Sequence, residues 1–310
     1  MVSQAGTKIA VVGVGKIARD QHLPSIERSS EFELAAAVSR HGRVEGLDNY
    51  TNLETMLRER ADIPAVALCV PPEPRYEMAV AALKAGRHVL LEKPPGTTVG
   101  EVEALIHLSR EKNVTLFATW HSRFAPCVEP ARQWLQGKKI RHVEIVWKED
   151  VRRWHPGQAW IWEAGGFGVF DPGINALSIL TAIVPPVFVT GATLKVPQNF
   201  QTPIAAELTM RSLAGFEVTA DFDWRQEGPQ TWEIRIETDA GLLVLADGGS
   251  RMSIDGSSHP GGLEAEYDGI YHRFAELLKA GESDVDLAPL KLVADAFLLG
   301  RTMDVEAFHE

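Results

Sequence analysis

Residues 8–18 read KIAVVGVGKIA and decide the fold. The first five residues form a short β-branched run, the next six fit the pattern G-x-G-x-x-A, and helical spacing continues to residue 28. In such a turn the first glycine permits the tight bend, the second lets a pyrophosphate approach the backbone, and the small last residue lets helix and strand pack closely. The stretch therefore predicts a strand, a tight turn and a helix that together bind a dinucleotide. The residues expected to contact its phosphates are Gly13, Gly15, Lys16 and Ile17.

Short apolar runs alternate with helical segments through the first 121 residues. The apolar runs lie at 32–38 (FELAAAV), 65–70 (AVALCV), 88–91 (HVLL) and 115–119 (TLFAT), and the helical segments at 53–60, 76–85 and 98–112. The last of these helices opens with a capping box, Thr98-Val-Gly-Glu101. Nearly continuous apolar strands that alternate with amphipathic helices are typical of a parallel sheet covered on both faces. We therefore expect residues 1–121 to form an N-terminal Rossmann domain with a doubly wound parallel sheet.

The pattern changes after residue 121, because strand-like segments then follow one another directly. They lie at 141–147, 187–196, 205–211, 216–224, 231–238 and 242–245, with helices near 172–183, 267–279 and 290–299. Asp239-Ala-Gly241 is typical of a hairpin link, with glycine where a positive φ is needed. We expect residues 122–310 to form a substrate-binding α/β domain with a mixed or antiparallel sheet, whose C-terminal helix can pack back on the first domain.

Composition and charge exclude several classes of protein. The chain has 310 residues, of which 45% are hydrophobic and 24% charged, and these values are ordinary for a globular protein. A net charge of -11 without a Lys/Arg run argues against a nucleic-acid partner. Only Cys69 and Cys127 are present, the start does not resemble a signal peptide, and no apolar run approaches the roughly 18 residues of a membrane helix. We expect a cytoplasmic protein with no membrane partner.

The segment after the second predicted strand indicates which dinucleotide is bound. A cofactor without a 2′-phosphate usually meets an Asp or Glu here, which binds the ribose hydroxyls. This chain has Ser39-Arg40-His41-Gly42 instead. A hydroxyl and a guanidinium can both bind a phosphate. Ser39 and Arg40 therefore predict that NADP is preferred and NAD accepted; the alternative is that Arg40 is a solvated loop residue.

Two further segments carry candidate catalytic groups. Glu92-Lys93-Pro94 follows the run 88–91, at the carboxyl edge where an open α/β sheet binds its ligands, and Pro71 follows the run 65–70 at the same edge. We expect Pro71, Glu92 and Lys93 to contact the cofactor, with Lys93 also serving in acid/base chemistry. The alternative interpretation of Lys93 is that it is only a charged residue on the surface.

Asp171 and Asn175 form the second candidate pair. They are four residues apart at the start of a predicted helix, hence on one face, and both can point at one ligand. The alternative is that Asp171 is only the N-cap of that helix.

The motifs in combination resemble the glucose-fructose oxidoreductase/inositol dehydrogenase/rhizopine-catabolism (Gfo/Idh/MocA) family. They are the glycine loop, the Glu92-Lys93-Pro94 element and the stretch GGFGVFDPGIN at 165–175. Within the family the chain is similar to bacterial L-arabinose/D-galactose 1-dehydrogenases, and the resemblance covers essentially the whole chain. The segments that carry it are KIARDQHLP (16–24), ATWHSR (118–123), WKEDVRRWHPGQ (147–158) and FDPGINALSI (170–179).

This resemblance implies a C-terminal α/β domain with a large open, mostly antiparallel sheet. It also implies NAD(P)+-dependent oxidation of the anomeric carbon of L-arabinose or D-galactose, and possible use of D-fucose, to the aldonolactone. The family's E-K-P lysine maps onto Lys93 and the aspartate of its D-x-G-x-H pattern onto Asp171. Asn175 stands where that pattern has histidine, and a carboxamide cannot take up a proton at neutral pH. Lys93 and Asp171 thus both stay candidates for the proton acceptor.

Several aromatic and charged residues are candidates for the sugar pocket. By likeness to the subgroup Glu149 faces the sugar, and indole faces suit the apolar C–H surface of a pyranose. The alternative for each candidate is a purely structural role, as a core aromatic, a buried histidine or a charged residue at the end of a strand. The candidates for substrate binding are Glu149, His121, Trp154, His155 and Trp232. The two cysteines and ten histidines show no metal-ligand spacing, and no metal is expected.

Two other functions compete with this interpretation. One is another polyol or sugar dehydrogenase of the same family, which Asn175 disfavours. The other is a non-catalytic corepressor-like protein that binds dinucleotide and senses sugar; such a protein would not need Lys93 and Asp171. The expected partner is a small aldose. Monomer and homodimer are both compatible with the sequence, because a two-fold interface leaves no unique sequence mark.

Overall fold

The computed structural model describes residues 6–262 and 265–309. Its contacts divide the chain into two compact units. Unit 1 contains residues 6–121 and 266–287, and unit 2 contains residues 122–262, 265 and 288–309. No helix in the described ranges is long and apolar enough to cross a membrane.

The strands and helices follow in chain order. The strands of the described residues are β1 (Thr7–Val12), β2 (Phe32–Val38), β3 (Asp48–Tyr50), β4 (Ala65–Leu68), β5 (His88–Leu91), β6 (Leu116–Ala118), β7 (Ile140–Lys148), β8 (Val187–Pro197), β9 (Ala205–Ser212), β10 (Glu217–Asp223), β11 (Thr231–Thr238), β12 (Gly241–Ala246), β13 (Arg251–Ile254), β14 (Ser257–His259) and β15 (Gly300–Val305). The helices are α1 (Leu23–Arg28), α2 (Leu53–Glu59), α3 (Pro72–Lys84), α4 (Val99–Lys112), α5 (Val128–Leu135), α6 (Val151–Trp154), α7 (Phe170–Ile183), α8 (Glu266–Ala280) and α9 (Ala288–Leu299), and a π-helical turn, Ala18–His22, leads into α1.

Unit 1 is built on a six-stranded parallel sheet in the order β3-β2-β1-β4-β5-β6, which confirms the predicted Rossmann fold. All four residues of β4 are buried, as a strand covered on both faces requires. The predicted capping box is present, because Thr98 Oγ1 accepts from the Glu101 N–H and Glu101 Oε2 accepts from the Thr98 N–H. The strand order reverses between β1 and β4, and the carboxyl ends of the strands at such a point form the usual ligand crevice.

Unit 2 is built on a nine-stranded sheet in the order β14-β13-β12-β11-β7-β10-β9-β8-β15. Its pairs are antiparallel except for β10–β7 and β15–β8, so the prediction of a mostly antiparallel sheet is confirmed. Buried and exposed residues alternate along β9, as they do in a strand with one covered face. Helix α7 is buried along nearly its whole length, and Gly173 lies against the Phe222 ring of β10.

Candidate active site

The glycine loop of unit 1 leaves room for a phosphate group. Gly13 has φ +93°, and a Cβ there would lie 2.8 Å from the Val70 backbone nitrogen, so only glycine fits. A Cβ on Gly15 would meet no atom within 4 Å, so this side of the loop is open. Lys16 and Ile17 follow with exposed side chains. A turn that bends sharply and presents an open backbone at the start of a helix fits the diphosphate of NAD(P).

The segment after β2 packs beside this loop. A Cβ on Gly42 would lie 2.6 Å from the Val14 backbone oxygen, so the two segments touch through Gly42. The Gly42 N–H donates to Ser39 Oγ over 3.1 Å, which closes the turn, and Arg40 is exposed on it. The structure therefore places Ser39 and Arg40 next to the glycine loop, at the end of the second strand.

A buried arginine fixes the segment that carries Lys93. Arg75, in the first turn of α3, is only 2% exposed. Its guanidinium donates to the backbone oxygens of Val70, Glu92 and Pro94. It thus joins the loop after β4 to the loop after β5 and holds both sides of the half-buried Lys93. Arg75 is not predictable from the sequence as a site residue, since its partners are backbone oxygens and these leave no mark on the sequence.

The Glu92 side chain lies in a buried polar cluster within unit 1. Glu92 Oε1 accepts from the Tyr267 hydroxyl over 2.6 Å and lies 3.2 Å from His22 Nε2, and Glu92 Oε2 accepts from the Lys93 N–H. His22 Nδ1 lies 2.8 Å from the Tyr271 hydroxyl. Burial alone would raise the pKa of Glu92, but the hydrogen bond and charge of His22, helped by Tyr267, lower it to about 2.

His22 is the buried partner of Glu92 in this cluster. Burial alone would lower the pKa of His22, but the polar groups that face it, Cys69, Tyr271 and Glu92, raise this pKa well above its ordinary value. His22 from the π-helical turn, Glu92 from the loop after β5 and the two tyrosine hydroxyls of α8 thus form one buried polar cluster. The sequence contains no local signal for this cluster, because its members are up to 249 residues apart.

His121 also lies in unit 1. Its Nδ1 is 2.6 Å from Glu266 Oε2, and its ring stacks on Tyr267 with the ring centroids 5.5 Å apart. His121, a predicted pocket residue, therefore contacts the start of α8 through Glu266 and Tyr267. Neither of these two residues is among the predicted site residues.

The other sugar-pocket candidates meet in unit 2 around Glu149. This carboxylate follows β7 and is 5% exposed. Trp224 Nε1 donates to Glu149 Oε1 over 3.2 Å, and Trp232 Nε1 donates to Glu149 Oε2 over 2.8 Å. Trp224 is fully buried, and no feature of its sequence neighbourhood distinguishes it from a core aromatic.

His155 brings a second carboxylate into the same group. His155 Nε2 lies 3.8 Å from Glu149 Oε1 and 3.6 Å from Asp171 Oδ2. Helix α7 begins at Phe170 and its N-cap is Val169, so the alternative that Asp171 is only an N-cap is wrong. Asp171 is buried, and Asn175 is half-buried one turn later on the same helix.

An aromatic surface adjoins this group. The Trp154 and Trp232 rings lie 5.5 Å apart, and Trp154 is 36% exposed. The Arg153 guanidinium covers Trp154, and Trp154 Nε1 donates to Gln230 Oε1 over 3.3 Å. Unit 2 therefore combines two buried carboxylates, an imidazole and indole faces, a combination suited to a polyhydroxylated ligand. Among the described residues, no group of His, Cys, Asp and Glu is arranged to hold a metal ion.

Comparison with known proteins agrees with both units. A family model described as "Oxidoreductase family, NAD-binding Rossmann fold" (GFO_IDH_MocA) matches residues 7–119. A galactose 1-dehydrogenase from Pseudomonas fluorescens is 42% identical over 304 residues, which cover 98% of this chain and 99% of that protein. The chain belongs to the Gfo/Idh/MocA oxidoreductase family. Unit 1 holds the family's NAD-binding Rossmann fold.

Two similar solved structures extend the comparison. The crystal structure of a D-galactose-1-dehydrogenase protein from Rhizobium etli is 56% identical, with a TM-score of 0.95 and full coverage of both chains. A 3-ketoreductase from Actinomadura kijaniata, in complex with NADP and TDP-benzene, has a TM-score of 0.82 at 19% identity, over 97% of this chain and 99% of that one. The second likeness concerns the fold alone.

Proposed function

We propose that this chain is an NAD(P)+-dependent aldose 1-dehydrogenase that oxidises the anomeric carbon of D-galactose or L-arabinose, and also of D-fucose, to the aldonolactone. The observation that carries the proposal is the full-length similarity, at 42% and 56% identity, to two proteins named as galactose 1-dehydrogenases. The carboxylates and indoles of unit 2 support it, because they suit a ligand that presents several hydroxyls and an apolar ring face.

The chemistry divides between the cofactor and this chain. The nicotinamide supplies the acceptor for the hydride that leaves C1. The chain must remove the proton from the C1 hydroxyl, and its candidates are Lys93 in unit 1 and Asp171 in unit 2. Either Asp171 takes the proton while the Lys93 ammonium donates to O1, or neutral Lys93 takes it while Asp171 orients the hydroxyl.

Glu149 and Asn175 position the sugar in this proposal. Each Glu149 oxygen accepts one indole N–H, and these two hydrogen bonds fix the carboxylate that would bind a sugar hydroxyl. D-galactose, L-arabinose and D-fucose have the same configuration at C2, C3 and C4, so one set of fixed acceptors serves all three. They differ only in the group attached to C5, for which the aromatic surface of Trp154 and Trp232 would set the available volume.

The decisive experiment is a substrate panel followed at 340 nm with NADP+ and with NAD+. The panel contains D-galactose, L-arabinose and D-fucose, with the C4 epimer D-glucose and myo-inositol as controls. We expect turnover of the first three and at least a tenfold lower kcat/KM for D-glucose. Turnover of myo-inositol instead would favour the polyol dehydrogenase, and dinucleotide binding without any turnover would favour the sugar sensor.

The preference for NADP over NAD belongs to the same proposal. The exposed Arg40 beside the glycine loop would pair with the 2′-phosphate, and a charge-assisted hydrogen bond of this kind contributes about 1.5–3 kcal/mol. Arg40→Ala should therefore raise the KM for NADP+ by about tenfold or more and leave the KM for NAD+ unchanged. Arg58→Ala, an exposed arginine on α2, is the matched control. Equal NADP+ kinetics in the Arg40 variant and the control would remove the assignment.

The proposed assembly and location follow the same function. A small aldose is the partner, the enzyme acts in the cytoplasm, and either a monomer or a homodimer is compatible with it. Light scattering of the purified protein distinguishes the two forms.

A further inference from the structure

We propose that His155 relays the sugar's proton from Asp171 to solvent. It thereby replaces the histidine that the family pattern D-x-G-x-H has at the position of Asn175. The inference rests on the proposed sugar dehydrogenase function and deepens it, since it makes Asp171 the first proton acceptor and leaves Lys93 to donate to O1.

The His155 imidazole lies beside Asp171 and is the more exposed of the two groups. Nε2 lies 3.6 Å from Asp171 Oδ2, and the His155 side chain is 16% exposed whereas that of Asp171 is 5% exposed. Of the two groups, the imidazole is therefore the one with more access to water. The separation is longer than a hydrogen bond, but catalytic hydrogen bonds commonly shorten only when the substrate is bound.

Two carboxylates and an indole ring face the His155 imidazole. The carboxylates are those of Asp171 from α7 and Glu149 from the end of β7, and the Trp224 ring from the end of β10 packs on the imidazole with the ring centroids 5.1 Å apart. Two carboxylates within 4 Å of Nε2 stabilise the protonated ring, and the packed indole holds the ring in place. Both effects suit a group that receives a proton from a buried acid.

The second ring nitrogen of His155, Nδ1, faces an amide oxygen. His155 Nδ1 lies 3.5 Å from Gln158 Oε1, an oxygen that can only accept a hydrogen bond. A neutral ring with its hydrogen on Nδ1 would donate to this oxygen and leave the lone pair of Nε2, toward Asp171, to accept a proton. This is the protonation state that a relay needs before each turnover.

The proton and electron balance is complete. The C1–H bond breaks and its electron pair leaves with the hydride to the oxidised nicotinamide of NAD(P)+, the O1–H bond breaks, and the C1–O1 bond becomes a carbonyl. The O1 proton passes to the Asp171 carboxylate and, in the same step, a proton passes from Asp171 to His155 Nε2, so the chemical step needs both groups. The imidazolium releases its Nδ1 proton to water, and the other tautomer returns to the starting one by proton exchange with water.

A histidine that only binds the sugar or only packs in the pocket predicts different behaviour. A sugar contact would change mainly KM, and a packing role would change stability and cofactor affinity. A relay changes kcat, changes the pH dependence of kcat, and can be replaced by a diffusible base. These three readouts separate the roles.

The test compares wild type, His155→Gln, His155→Ala and the exposed control His259→Gln. Single-turnover oxidation of D-galactose, with unlabelled and C1-deuterated sugar, reports the chemical step even where product release limits kcat. We expect the rate of the chemical step in both His155 variants to fall at least about 100-fold, with KM within a few-fold of wild type. We also expect the acidic limb of the wild-type pH profile to disappear, and imidazole added to His155→Ala to restore the rate in proportion to its neutral form.

The outcomes that overturn the proposal are distinct. An unchanged chemical step with a raised KM would make His155 a sugar contact. A slowed step with an unaltered pH profile and no imidazole rescue, in a variant whose thermal unfolding and NADP+ titration match wild type, would make it a structural residue. Wild type that oxidises no aldose would overturn the proposed function itself, whereas wild-type activity with either of the first two results removes only the relay.

Discussion

At the scale of single residues, the two indole donors on Glu149 are the feature with the clearest consequence. Both carboxylate oxygens of Glu149 are occupied, one by Trp224 and one by Trp232. An indole N–H can only donate, so the site needs two acceptors, and the two oxygens of the carboxylate supply them. The carboxylate is thereby fixed in orientation before any ligand arrives, which is the condition for reading hydroxyl positions on a sugar.

Glu149→Gln tests this arrangement. The amide has one acceptor oxygen, so its NH2 group must meet one of the indole N–H groups and leave that buried donor unsatisfied. We expect the free energy of unfolding to fall by about 1–3 kcal/mol and the KM for D-galactose to rise at least tenfold. Urea denaturation and steady-state kinetics measure the two effects. Glu144→Gln, on the same strand β7 but exposed, should change neither; equal effects of the two variants would contradict the argument.

The buried pair His22–Glu92 makes stability depend on pH in two directions. The pKa of Glu92 is lowered to about 2, so its contribution is present above its ordinary pKa and is lost as pH falls toward 2. The pKa of His22 is raised, so its contribution is complete below its ordinary pKa, about 6.5, and is lost as pH rises through the folded value. The pair therefore stabilises the fold most between about pH 4.5 and 6.5.

Glu92→Gln should reveal this window. The difference in the free energy of unfolding between wild type and the variant should be largest near pH 5.5 and smaller at both pH 3 and pH 9. Urea denaturation at the three pH values measures it. Glu77→Gln, an exposed residue of α3, should show a small difference that does not vary with pH. A difference for Glu92→Gln that is equally constant would mean that the pair is not ionised.

At the scale of elements, the loops after β4 and β5 depend on one side chain from α3. Arg75 donates to Val70, Glu92 and Pro94, all at backbone oxygens of those loops. The strands end at the sheet edge, so these oxygens have no partner strand to bind, and a buried polar group without a partner is costly. Helix α3 thus sets the position from which Lys93 extends.

Arg75→Met should therefore affect stability and activity together. Removal of the guanidinium leaves three backbone oxygens without this donor, and we expect a loss of at least about 3 kcal/mol in the free energy of unfolding. Turnover should fall further than the KM for the aldose changes, because Lys93 loses its fixed position. Urea denaturation and kinetics at saturating NADP+ measure both, with Arg58→Met on α2 as the control. If a destabilised Arg75 variant kept the wild-type kcat, the hydrogen bonds of Arg75 would contribute to stability and not to the reaction.

The elements also show which features the sequence predicts and which it does not. Strands β1, β2, β4, β5 and β6 of unit 1 and the capping box of α4 are encoded locally, by continuous apolar runs and by two side chains three residues apart, and these predictions are confirmed. The sequence does not predict the three-residue strand β3, which is mostly exposed and pairs with β2. Strand β15 is mostly exposed and reads GRTMDV, with no strand pattern; it exists because it pairs with β8. The hydrogen bonds of Arg75 and the His22–Glu92 pair likewise depend on contacts between distant segments, which no local sequence pattern predicts.

At the scale of the whole molecule, unit 1 consists of two separate segments of the chain. Helix α8 supplies the tyrosine hydroxyls that bind His22 and Glu92, and its Phe274 ring stacks on Phe32 and Phe117 at centroid distances of 5.6 Å and 6.1 Å. After α8, Asp284 exchanges backbone hydrogen bonds with Leu116 and Ala118, which continues the sheet beyond β6. Residues 266–287 therefore complete both the core and the edge of the Rossmann sheet.

A chain that ends at residue 121 should consequently fail to fold. It would leave the buried Glu92 carboxylate and the Phe32 and Phe117 rings uncovered, and we expect no cooperative urea transition and no NADP+ binding by calorimetry. His121 Nδ1 lies 2.6 Å from Glu266 Oε2, so the two segments begin and end side by side, and a short Gly/Ser linker can join residue 121 to residue 266 at a small entropic cost. The joined chain, ending at residue 287, should unfold cooperatively and bind NADP+. Equal folding and binding by the chain that lacks 266–287 would show that the returning segment is dispensable to unit 1.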